Sequence, residues 1–70
     1  MNGHPIDIAN GTSIEASIPA GCVLRRSYSG VSWTDVSDRV FVHVGGDAQY
    51  RIDCDTYTVP VTAVLTITPA

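Results

Sequence analysis

The sequence predicts an all-β fold, a small antiparallel β-sandwich or partly open β-barrel of six to seven short strands. Three observations carry that expectation. Apolar and polar residues alternate with a period of two along most of the chain. No window of about 11 or more residues repeats apolar positions at the three-and-four spacing of an amphipathic helix. Turn-forming Gly, Pro, Asn and Ser residues cut the alternation into short runs.

The first two runs, Pro5-Ile6-Asp7-Ile8-Ala9 and Thr12 to Ile18, flank Asn10-Gly11, the strongest short hairpin signal because both residues accept positive φ in a type I′ turn. They are therefore expected to pair, with Ile14, Ala16 and Ile18 inward and Ser13, Glu15 and Ser17 in water. Pro19-Ala20-Gly21 ends the second run, since proline presets a turn and glycine tolerates the backbone conformation that completes it. The next strand puts Cys22, Leu24, Arg26 and Tyr28 on one face and Val23, Arg25 and Ser27 on the other, leaving its buried side open. Ser29-Gly30 reverses the chain into Val31 to Val36, with Val31 and Trp33 on one face.

Arg39-Val40-Phe41-Val42-His43-Val44 is almost uninterrupted and apolar, as expected of a strand at the centre of a sheet or between two layers. Gly45-Gly46-Asp47 then leads into Ala48 to Asp55, whose Ala48, Tyr50, Ile52 and Cys54 point inward and Gln49, Arg51, Asp53 and Asp55 outward. These two runs are expected to form a hairpin. In the last segment, Thr58 to Thr68, Val59, Val61, Ala63, Leu65 and Ile67 share a face, and Pro60 belongs at a strand start, bulge or edge. Thr62 to Thr68 carries no charge, so as an open edge it invites pairing; either the fold or another subunit must cover it.

The 70 residues form one domain, residues 1–70, without internal repeats. So short a chain has barely enough core to offset its entropy, which makes a staple or a neighbouring subunit expected. Its 44% hydrophobic and 16% charged residues argue against disorder. Seven acids against four bases, net −3, offer no footprint for a nucleic-acid backbone. No run approaches the roughly 18 apolar residues of a membrane span. The start, MNGHPIDIAN, lacks the basic and apolar regions of a signal peptide, so synthesis and residence in the cytoplasm are expected. There Cys22 and Cys54 are expected as two buried thiols. The alternative is a disulfide closing a loop of roughly 30 residues, worth about 3 kcal/mol by the loop-entropy model.

No catalytic set emerges: His43 sits in an apolar strand and reads as a hydrogen-bonded or semi-exposed sheet residue, and no phosphate loop, HExxH pair or GxSxG elbow occurs. Asp47, Asp53, Asp55 and the Asp35/Asp38 pair lack the ligand order of a calcium loop and read as a solvated face. No metal and no cofactor are expected. The single tryptophan, Trp33, is expected as the core's largest filler, with an interface or ligand contact as the alternative. The interface candidates are Arg25, Arg26 and Tyr28 at the hairpin rim, Trp33, Tyr57 in a second turn, and Thr66 and Thr68 on the uncharged terminal strand.

Ser27-Tyr28-Ser29-Gly30-Val31-Ser32-Trp33 resembles a shortened Asp-box hairpin, with Ser29 in place of the aspartate and one residue missing before the tryptophan. That resemblance implies a β-hairpin with a packed aromatic and no sialidase chemistry. The whole chain, acidic, Thr- and Val-rich and ending in an uncharged strand, resembles in style the small accessory proteins of tailed-phage virions, such as capsid decoration or head-completion proteins. The resemblance implies a non-enzymatic virion protein that docks on a lattice of protein subunits or oligomerises, without nucleic acid or membrane. The alternative expectation is a binding module or small inhibitor that uses an aromatic patch to hold a carbohydrate or a host protein.

Overall fold

In the computed structural model, which describes residues 3–55 and 63–70, the chain is all-β and antiparallel. Its strands are β1 (Ile6–Ile8), β2 (Ser13–Ser17), β3 (Cys22–Ser27), β4 (Thr34–Val36), β5 (Val40–Val42), β6 (Ala48–Cys54) and β7 (Val64–Thr68). They form a four-stranded sheet in the order β1-β6-β3-β4 and a three-stranded sheet in the order β5-β2-β7. Two separate layers make this a sandwich rather than a barrel.

The core fills the space between the layers. Ile8, Leu24, Val36, Ala48 and Tyr50 come from the larger sheet, Ile14 and Ala16 from the smaller, and Ile18, Phe41, Ile52 and Leu65 close its sides. The alternation of β2 accounts for its burial: Ile14 and Ala16 are buried while Ser13, Glu15 and Ser17 are exposed. Register in β6 does the same for the larger sheet, setting Leu24 opposite Ile52 and Ala48 opposite Ile8 on the inner face.

Three sequence expectations are overturned, all by the same cause. The runs flanking Asn10-Gly11 do not pair: β1 joins β6 and β2 joins β5 and β7, in different sheets. Gly11 has φ 89° and none of the described non-glycine residues has positive φ, so the type I′ geometry is not formed. A four-residue turn closed by the Thr12 N–H on the Ala9 carbonyl, 3.2 Å, carries the chain between layers instead. Nor do β5 and β6 form a hairpin; β5 pairs with β2, and β6 lies between β1 and β3. Gly45 and Gly46, at φ 98° and 100°, take that connection across as well. Finally, among the described strands β5 lies at an edge of its sheet, not at the centre. Hydrophobic alternation marks which face of a strand is buried but not which strand it pairs with, so a turn signal reads equally as a hairpin or as an arch between layers.

The expected β3–β4 hairpin does form, with Leu24 opposite Val36 and Arg26 opposite Thr34. Serine side chains hold its loop: the Ser27 hydroxyl accepts from the Gly30 N–H at 2.8 Å and the Ser29 hydroxyl from the N–H groups of Val31 and Ser32. Cys22 and Cys54 face each other across β3 and β6 and are joined as a disulfide, where the cytoplasmic reading expected free thiols. The bridge supplies the staple that so small a core calls for.

Candidate docking surface

The candidates drawn from the sequence fall in separate places. Arg25 and Trp33 lie on the outer face of the four-stranded sheet, Arg26 and Tyr28 at its end beside His43, and Thr66 and Thr68 on the outer face of the three-stranded sheet. Tyr57, like Pro60, lies outside the described residues.

On the outer face of the larger sheet, Arg25 and Arg51 stand directly opposite each other, a like-charge pair that is unfavourable alone. Asp53 resolves it. Its Oδ2 accepts from the Arg25 guanidinium and from Arg51 Nε, each at 2.9 Å, and its Oδ1 from the Gly3 N–H at 3.2 Å. Asp53 is therefore only 5% exposed, a correction to the solvated role expected for it. Bonding to Asp35 at 3.0 Å, then to Asp53, raises the pKa of Arg25 further above the usual guanidinium value. Trp33 is not in the core. It lies half-buried on this outer face with the Arg51 guanidinium 4.2 Å from its ring centroid. The sequence put it in the core because only its size was visible; Thr34 sits opposite Arg26 on the inner face, which turns its neighbour Trp33 outward.

At the end of the sandwich a buried relay joins the two sheets. His43 is 1% exposed, with Nε2 2.6 Å from the Gly46 carbonyl and Nδ1 2.7 Å from the Tyr50 hydroxyl. A carbonyl only accepts, so Nε2 carries a proton and donates to Gly46, while Nδ1 and the Tyr50 hydroxyl share the second hydrogen bond. Arg26 donates weakly to the same hydroxyl at 3.5 Å, and its guanidinium approaches the rings of Tyr28 and Tyr50. Burial pushes the Tyr50 phenol above its ordinary pKa against the opposing pull of Arg26. Tyr28 stacks on His43 and donates to the Val44 carbonyl at 2.8 Å. Asn10 Oδ1 accepts from the Gly45 and Gly46 N–H groups, tying the first arch to the second. Arg25, Arg26 and Tyr28 are thus committed to intramolecular contacts, and Tyr28 and Trp33 have different ring partners.

Among the described residues, no such internal network lies on the outer face of the three-stranded sheet. Register aligns Val42, Ser13 and Thr68 in one row, Val40, Glu15 and Thr66 in the next, and Ser17 with Val64 in the third. Val40 is 76% exposed, Val42 53% and Val64 54%. A shallow groove runs along β2 between the β5 valines and the β7 threonines. Glu15, on its floor, is the one charge in these rows. Sequence reasoning singled out Thr66 and Thr68 on this face but not Val40, Val42 and Val64. The available signal was their alternation with Phe41, His43 and Leu65, which read as two covered faces instead of one. Comparison of the chain with protein-family models, with curated proteins and with solved structures finds no match.

Proposed function

We propose that this domain is a non-enzymatic assembly module that docks on other protein subunits through the outer face of its three-stranded sheet. One observation carries the reading: Val40, Val42 and Val64 stand exposed in rows with threonines and serines around a single charge, while the arginines and most aromatics bind within the chain. Exposed β-branched rows of this kind mark an interaction surface on a small domain whose own core is modest. A particle outside the cell, a virion among them, suits the Cys22–Cys54 bridge, since disulfides persist in oxidising surroundings. A sugar-binding platform has less support, because Arg51 already covers one face of Trp33 and Tyr28 packs on His43.

The test is size in an extract of the native source. The wild-type domain should elute far above its own mass, and the double variant Val40→Lys, Val42→Lys should elute as free domain with an unchanged circular dichroism spectrum. Co-elution of the double variant with the large species would contradict the docking face.

A further inference from the structure

We infer that β7 is a self-pairing edge through which two copies of this chain join their three-stranded sheets into one six-stranded sheet, in the order β5-β2-β7-β7′-β2′-β5′. The inference rests on the assembly reading above and adds to it a second contact, made with another copy of the chain at the sheet's edge instead of its face.

The four strands at sheet edges among the described residues differ in how they are protected. β1, β4 and β5 have three residues each. Asp7 lies within β1 and Asp35 within β4, and Asp38-Arg39 leads into β5. The carbonyl of Val44, just past β5, is capped by the Tyr28 hydroxyl. β7 has five residues, VLTIT, with no charge, glycine or proline inside it. Charge and irregularity are the usual devices that keep an edge from pairing, and β7 has neither.

The backbone phase supports a definite register. The Ala16 N–H donates to the Arg39 carbonyl and the His43 N–H to the Thr12 carbonyl, so even-numbered residues of β2 direct their polar groups to β5. Odd-numbered Ser13, Glu15 and Ser17 therefore bond across to Thr68, Thr66 and Val64. That leaves the N–H and C=O groups of Leu65 and Ile67 pointing away from the sheet. A two-fold axis through Thr66 sets Leu65 opposite Ile67′ and Ile67 opposite Leu65′, and each of these pairs exchanges both hydrogen bonds. Thr66 then meets Thr66′ in the close, non-hydrogen-bonded position between them. Val64 meets Thr68′, so all pairs on the outer face are β-branched, and Leu65 and Ile67 extend the inner layer across the axis. The contact is isologous, and it brings no like charges together although each copy carries −3.

The experiment uses single cysteines in the full chain with its native disulfide in place. Thr66 is exposed, so Thr66→Cys retains the monomer fold and should form a covalent dimer under mild oxidation at least about 10-fold faster than Val40→Cys, on the far strand of the same sheet. Val64→Cys mixed with Thr68→Cys should also cross-link, and neither should do so alone at that rate. Equal rates for Thr66→Cys and Val40→Cys, or failure of the mixed pair, would overturn the register. Wild-type protein that sediments as a monomer up to about 1 mM would overturn self-pairing itself. The extract experiment decides docking on other subunits separately.

Discussion

Tyr50 shows how a single residue links the two sheets. Its ring fills the core between them with no exposure, and its hydroxyl is the hydrogen-bond partner that satisfies Nδ1 of the buried His43. Because burial raises the phenol's pKa, the folded state holds the proton more tightly than the unfolded chain does. The associated stability is fully present below about pH 10, the ordinary tyrosine value, and is lost as pH rises through the folded value. Urea midpoints should therefore fall between pH 8 and pH 11 in wild type, and fall less in Tyr50→Phe. That variant should also be about 1–3 kcal/mol less stable at pH 7, because it leaves the buried His43 Nδ1 without its hydrogen-bond partner; an unchanged midpoint would contradict the relay. The sequence offered a hydrogen-bonded reading of His43 but not its partners. Tyr50 was placed inward by alternation, but its bond to His43 joins β6 to the residue just past β5, in the other sheet, and period-two patterns contain no information about contacts between layers.

The strands themselves were legible and their partners were not. Alternation located the runs that became β1 to β6 and set the inward faces of β2 and β6; the other face of β2 lies in water, whereas that of β6 carries half-buried Gln49 and Arg51 and the buried Asp53. Pairing failed at the two glycine turns, which act as arches. Gly45 is the sharper case: it has φ +98°, and a Cβ there would lie 3.0 Å from the Tyr28 hydroxyl oxygen, whereas one on Gly46 meets nothing within 4 Å. Both substitutions to alanine force a side chain into the left-handed region, at about 1–3 kcal/mol. Gly45→Ala should cost more than Gly46→Ala in chemical denaturation, since it also displaces Tyr28 from the Val44 carbonyl; equal costs would mean that the arch does not depend on Tyr28. β7 combines both lessons. Its lack of charge was plain in the sequence, and its place at an edge beside β2 emerges only from the register.

At the scale of the molecule, the sandwich divides its labour between sheets. The four-stranded sheet carries the disulfide and the Arg25–Asp53–Arg51 ladder with Trp33 against it. The three-stranded sheet carries the exposed valine and threonine rows. Length and composition pointed toward help from a staple or a neighbour, and the fold contains the staple and presents a face suited to the neighbour. The hairpin around Trp33 drew interface candidates in the sequence because arginine and tyrosine are prominent there; in three dimensions Arg25 binds Asp35 and Asp53, Arg26 lies over Tyr28, and Trp33 packs under Arg51 of β6. Hydrogen exchange measured on the domain alone and within its native assembly tests this division most directly. Assembly should slow exchange in residues 13–17, 40–42 and 64–68 and leave the β3–β4 hairpin unchanged. Protection confined to residues 25–34, with the three-stranded sheet exchanging as in the free domain, would contradict the account.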